Sequence, residues 1–124
     1  MTTGNIAAIN SILANLHTNS TSYSAAALQA IVNAYNKVLA AADGNATDNT
    51  SGSNIPSQGD YSAIGVTGVD AATAALLSDV IDGKPGSAVD TVAEVQAQAD
   101  AAKAVLGYDD PATDTAPTKD QINA

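Results

Sequence analysis

Apolar residues recur along the first third of the chain at spacings of three and four, which is typical of amphipathic helices. The first run consists of Ile6, Ile9, Leu13 and Leu16. The second run consists of Leu28, Ile31, Val32, Tyr35, Val38 and Leu39. Polar residues 17–22 separate the two runs, and Ser22 or Ser24 is available as N-cap of the second. The pattern predicts two helices joined as a hairpin.

A second pair of helices is predicted further along. Asp70 can cap a helix whose apolar face comprises Thr73, Leu76, Leu77, Val80 and Ile81. The turn residues 82–86, "DGKPG", follow it. Thr91 and Glu94 then have the spacing of a capping box. The next buried stripe comprises Val92, Val95, Ala99, Ala102 and Leu106. We expect Gly107 to end this helix.

Two shorter segments begin with a helix-start signature, Pro56 followed by Ser57 and Pro117 followed by Thr118 with Gln121 three residues on. Only one or two helical turns fit between Pro56 and Gly65. The pattern therefore predicts a module made of a short helix, the connector "GVTGV" (residues 65–69) and two longer helices.

Three segments of the chain recur in the same order, which indicates an internal repeat. Thr3–Leu16 aligns with Thr67–Val80, Ser24–Leu39 with Thr91–Leu106, and Pro56–Ala63 with Pro117–Ala124. Chance similarity between alanine-rich helices is the alternative. It does not readily explain why Thr-Gly, Gln-Ala and Pro-Ser/Thr pairs all match in order. Because both ends of the chain fall inside the repeat, we expect it to be a piece of a longer array.

The repeat divides the chain into four parts. Residues 1–44 form a partial repeat, residues 45–55 a polar linker, residues 56–107 a complete three-helix repeat, and residues 108–124 a linker with the start of the next repeat. The predicted fold class is all-α, with small antiparallel helical bundles built from tandem helical-hairpin or three-helix repeats.

Composition limits both the core and the partners. The 124 residues include neither Phe nor Trp, and much of the apolar content is alanine, so any core is thin. The net charge is −9 with only four lysines, which disfavours nucleic acid and anionic membranes as partners. No run approaches the roughly 20 apolar residues of a membrane span. Disulfides and thiolate metal sites are excluded because there is no cysteine.

Few residues suggest catalysis or glycosylation. His17 is the only histidine, and it falls where the first helix is expected to end, a favourable position opposite the helix dipole. Asn19, Asn45 and Asn49 each occur in an Asn-x-Ser/Thr triplet, a pattern that arises easily by chance in this composition. We predict no enzymatic activity, no catalytic residue and no cofactor.

An acidic loop resembles the start of an EF-hand. Asp43, Asn45, Thr47 and Asn49 stand at alternate positions. The match then fails, because Asp48 replaces the glycine and Asn54 the bidentate glutamate of that motif. Weak calcium binding through Asp43, Asn45 and Asp48 is one interpretation, and a solvated acidic loop is the other. The same alternatives apply to Asp109, Asp110 and Asp114.

Tyr23 and Tyr61 are candidate contact residues, because tyrosine combines apolar area with a polar tip. The alternative places Tyr61, like Tyr35, in the core.

The segments Ser24–Leu39 and Tyr61–Leu106 resemble helical tandem repeats of very large exported bacterial surface proteins, the biofilm-associated and RTX-type adhesins. In those repeats a "GVTGV"-like phrase precedes two helices. The resemblance implies an extracellular or cell-surface, non-enzymatic module that acts as a spacer or as a weak, multivalent adhesion unit. Its implied partners are neighbouring repeats of the same chain. The rival interpretation is a ligand-binding module that recognises a host or matrix protein through an exposed apolar helix face.

Overall fold

The computed structural model describes residues 3–17, 23–47, 54–108 and 123. Its helices are α1 (Thr3–His17), α2 (Ala25–Ala41), α3 (Gln58–Ala63), α4 (Ala71–Asp82) and α5 (Val92–Tyr108), with a 3-10 turn at Gly86–Ala88. The described residues contain no β-strand, only an isolated bridge between Asp43 and Pro85. The predicted all-α class and small helical bundle are confirmed. The expected helix start at Pro117 lies outside the described residues.

Side-chain caps begin α2, α4 and α5 where the sequence places them. The hydroxyl of Ser24 accepts from the backbone N–H of Ala27 at 3.1 Å, and Asp70 Oδ1 accepts from Thr73 N at 2.8 Å. Before α5, Thr91 N donates to Glu94 Oε2 at 2.8 Å and Glu94 N donates to Thr91 Oγ1 at 3.3 Å. These bonds satisfy N–H groups that have no intrahelical acceptor. Local sequence alone therefore fixes these boundaries.

The short helix α3 is capped and tied to α2 by one carboxylate. Asp60 Oδ2 accepts from the N–H of Ser57 at 2.8 Å, which completes a capping box. The same oxygen lies 2.8 Å from Lys37 Nζ on α2. Burial by itself raises the pKa of Asp60, but the hydrogen bonds from Lys37 and Ser57 outweigh it and lower the pKa. The cap and the ion pair together hold α3 against α2.

One buried cluster unites the described helices. α3 packs chiefly on α2, α4 packs on α5, and α1 touches both α2 and α5. The largest fully buried side chains include Tyr35, Tyr61, Ile12, Ile64, Leu77 and Ile81. Many of the remaining members are alanine or valine. Residues from the predicted parts 1–44 and 56–107 thus share a single thin core.

Some sequence predictions need correction at helix ends. Leu28 and Leu106, expected on buried stripes, are exposed, as is Ile6. Gly107 does not end α5, which continues to Tyr108. A glycine inside a helix costs about 1 kcal/mol relative to alanine, so it weakens a helix without necessarily ending it.

Candidate functional site

The "GVTGV" connector begins as the C-terminal cap of α3. Gly65 and Gly68 have φ values of 90° and 72°, in the region that favours glycine. Gly65 N donates to Ser62 O and Val66 N donates to Tyr61 O, both at 3.0 Å. This is the hydrogen-bond pattern of a Schellman motif, and its accompanying apolar pair, Tyr61 and Val66, is buried. Both glycines thus adopt the left-handed conformation in the turn between α3 and α4.

A glutamine from α5 fixes the middle of the connector. Gln96 Oε1 accepts from Thr67 N at 2.8 Å, and Gln96 Nε2 donates to Thr67 O at 3.1 Å. The side-chain amide thus pairs with both backbone polar groups of one residue. Gln96 Nε2 also lies 2.9 Å from Asp100 Oδ1, one helical turn on. The connector is therefore held to α5 at a defined position.

An open cleft of about 330 Å³ lies where α1, the connector and α5 meet. Its lining residues are Ser11, Asn15, Gly65, Thr67, Val92, Ala93 and Gln96. A Cβ on Gly65 would stand 3.0 Å from Asn15 Nδ2 and 3.2 Å from Leu16 Cδ2, so α1 approaches the connector closely. The side chains that line the cleft offer neutral hydrogen-bonding groups, and none of them is ionised. Such a lining suits contacts with uncharged polar groups.

A smaller cleft of about 170 Å³ lies further towards the start of α5, lined by Ala7, Ala8, Asp90 and Thr91.

Within the described ranges, no three His, Cys, Asp or Glu side chains come close enough together to hold a metal ion. Among the described helices, none combines the length and the apolar character that crossing a membrane requires.

The predicted calcium ligands are only partly described. Asp43 Oδ1 accepts from Asn45 N at 2.8 Å, and Asn45 Oδ1 accepts from Thr47 Oγ1 at 2.8 Å. Both oxygens thus make local turn hydrogen bonds on an exposed loop. Asp48, Asn49 and the residues from Asp109 to Asp114 lie outside the described residues. Calcium binding stays a prediction.

Of the two candidate contact tyrosines, Tyr61 is not at the surface. Its side chain is 0% exposed, so it cannot present a contact face, and the alternative core placement is the observed one. Tyr23 is half-buried and packs against the core. His17 is the last residue of α1, where the sequence predicted a helix end.

Tyr61 belongs to a buried hydrogen-bond chain. Its hydroxyl lies 2.9 Å from Ser78 Oγ, which in turn donates to Pro56 O at 2.8 Å. Since the single Ser78 proton goes to Pro56, Tyr61 is the donor of the first bond. Burial raises the pKa of Tyr61 to about 12, and the charge of Asp60 acts in the same direction.

Sequence reasoning missed two of these residues, Ser78 and Gln96. Ser78 lies on the apolar side of α4 and carries no local signal of its partner. Gln96 did carry a signal, because it aligns with Gln29 in the repeat. Each of these two glutamine side chains bonds the residue four positions further on. A polar residue repeated at one helix position points to a recurring contact.

Replacing Gln96 by alanine is expected to lower the free energy of unfolding by about 1 kcal/mol, because partly exposed hydrogen bonds have small net values. Hydrogen exchange should show faster exchange of the Thr67 N–H. The matched control is Gln29→Ala, which removes an exposed bond to Asn33 and should change stability by less than about 0.5 kcal/mol. Equal effects of the two variants would contradict the assigned role of Gln96.

Comparison with protein-family models, with curated proteins and with solved structures finds no significant match for the chain.

Proposed function

We propose that this chain is a tandem helical-repeat segment of a large bacterial cell-surface or secreted adhesin. In this role it is non-enzymatic and acts as a spacer, or as a weak adhesion unit that works through many copies. Neighbouring repeats of the same chain are its first partners, and the location is extracellular or at the cell surface.

The observation that carries the proposal is the correspondence between α2 and α5. Both helices have 17 residues, and both begin directly after aligned hydroxyl residues, Ser24 and Thr91. Hydrogen bonds at aligned positions match as well, from Gln29 to Asn33 and from Gln96 to Asp100. Agreement of sequence, cap and side-chain bonding at aligned positions supports a duplicated unit.

Charge and site chemistry agree with a spacer. A net charge of −9 keeps a long array soluble and makes its modules repel one another at low salt. The larger cleft presents neutral side chains, and its lining residues include the hydroxyl of Ser11 but no histidine or carboxylate. Activated serine nucleophiles require an adjacent base. Adhesion through repeated weak contacts needs no such arrangement.

A second candidate function is a ligand-binding module for a host or matrix protein. Val105 and Leu106 favour it, because both are exposed large apolar residues at the end of α5. Exposed apolar residues on a protein surface can mark an interaction site. In this alternative the exposed residues recognise a foreign protein and not another module.

Small-angle X-ray scattering on one, two and three linked copies of the full chain tests the spacer proposal. We expect the maximum dimension to increase linearly with copy number. A dimension that grows much more slowly, with a compact profile, would exclude a spacer.

The scattering measurement is repeated in calcium and in chelator, with Asp43→Asn as control. Stiffening that calcium produces and the variant loses would assign the acidic loop a ligand role, and an identical profile would reject it.

A further inference from the structure

The C-terminal end of α5 is exposed where the matching end of α2 is buried. Val38 is 0% exposed, whereas its aligned partner Val105 is 45% exposed. Leu39 is half-buried and its partner Leu106 is exposed. The residue types are identical in each pair, so the difference comes from what packs on the two helices and not from their sequences.

Elements that follow α2 in the chain pack on its C-terminal end. α3 and α4 both pack on α2, and the Lys37–Asp60 ion pair joins α2 to α3. The turn after α4 also reaches α2, because a Cβ on Gly86 would stand 3.0 Å from Leu39 Cδ1. In terms of the repeat, the second long helix of one copy is covered by two elements of the following copy. These are its short helix and its first long helix.

The N-terminal ends differ in the opposite sense. Leu28 of α2 is 36% exposed, whereas its aligned partner Val95 is 1% exposed. α1 lies along this part of α5, where Ser11 and Asn15 share a cleft with Val92. α5 therefore has α1, the first helix of the preceding copy, beside it, whereas the described residues place no such helix beside the start of α2. Each helix is exposed on the side where a neighbouring copy would stand.

We infer that the exposed end of α5, formed by Val105 and Leu106, is the docking face for a following copy of the module. The counterparts of α3 and α4 in that copy cover it, as α3 and α4 cover α2. The inference rests on the tandem-repeat part of the proposed function. The ion pair is not repeated, because Lys37 aligns with Ala104 and Asp60 with Gln121. At the end of α5, apolar contact and not this ion pair therefore holds the following copy.

Thiol reactivity tests this docking, since the chain contains no cysteine. Val105→Cys is prepared in the 124-residue chain and in a longer chain with residues 64–108 appended after Ala124, which continues the alignment of Ala124 with Ala63. We expect the thiol of the Val105→Cys variant to react with a maleimide at least tenfold more slowly in the longer chain. Ala97→Cys is the control on the same helix, because Ala97 and its partner Ala30 are both exposed. Its rate should not change.

Two further outcomes separate the docking from the spacer proposal. If circular dichroism shows that the appended residues are helical but Val105→Cys reacts equally fast in both chains, the docking is wrong. The spacer proposal then still depends on the scattering of linked copies. If the appended residues gain no helix, the repeat itself fails, and both proposals fail with it. Protection of Val105→Cys in the 124-residue chain that increases with protein concentration would overturn the docking in favour of self-association.

Discussion

Replacing Tyr61 by alanine is expected to lower the free energy of unfolding by about 4 kcal/mol, the scale of aromatic truncations in cores. Tyr61 is completely buried in a cluster that contains few large side chains. Removing the ring leaves a cavity on the short helix that packs on α2, and alanine or valine neighbours cannot fill it. Urea unfolding followed by circular dichroism measures the loss. Small domains are marginally stable, so a large unfolded fraction is expected even without urea.

Two conservative variants separate the ring from its hydroxyl. Tyr61→Phe keeps the ring and should cost about 1 kcal/mol, because Ser78 still donates to Pro56. Ser78→Ala should cost more, about 2 kcal/mol, because it leaves the buried Tyr61 hydroxyl and the Pro56 carbonyl unpaired. An alanine variant within about 1 kcal/mol of the native chain would contradict the central position of Tyr61. The reverse order of the two conservative variants would contradict the assigned direction of the hydrogen bonds.

The helix starts are the part of the fold that the sequence predicts well, because their causes are local. Ser24, Asp70 and the Thr91–Glu94 pair each bond a backbone N–H within three residues. A short window of sequence contains both partners of each bond. The glycines of the connector are predictable for the same reason, since a left-handed turn requires them wherever they lie in the fold.

Contacts between distant residues are what the sequence leaves open. Tyr61 and Ser78 are 17 positions apart, and Thr67 and Gln96 are 29 apart. Whether Tyr61 is core or surface depends on where α3 docks, and no local pattern fixes that docking. The same limit explains the errors at Leu28 and Leu106. Both continue an apolar stripe, yet burial requires an opposing element, which the described residues do not provide at those ends.

The candidate site also combines local features, which the sequence predicts, with contacts between distant residues, which it does not. The connector was recognisable from its glycines, but the glutamine that holds it was not singled out, although it recurs in the repeat. The calcium prediction depended on spacing alone, and the described oxygens of Asp43 and Asn45 accept local hydrogen bonds. A repeated polar residue is therefore a better guide to the site here than an incomplete motif.

Raising the pH from 8 to 11 is expected to lower the free energy of unfolding through the buried tyrosines. The folded pKa of Tyr61 is raised to about 12, from an ordinary value near 10. Burial, with the charges of Asp90 and Glu94, also raises the pKa of Tyr35. A group whose pKa is raised on folding binds its proton more tightly in the folded state. Its contribution is complete below pH 10 and is lost as pH rises towards 12.

For Tyr61 the loss at pH 11 is about 1.4 kcal/mol, one tenfold change in the equilibrium constant. Urea unfolding at pH 8 and pH 11 measures it, and absorbance near 295 nm shows whether buried tyrosines ionise only as the chain unfolds. Tyr61→Phe lacks this proton, so its loss of stability between the two pH values should be smaller by about 1.4 kcal/mol. The same pH dependence in both chains would mean that the Tyr61 hydroxyl ionises in the folded protein, and that α3 therefore opens to water without global unfolding.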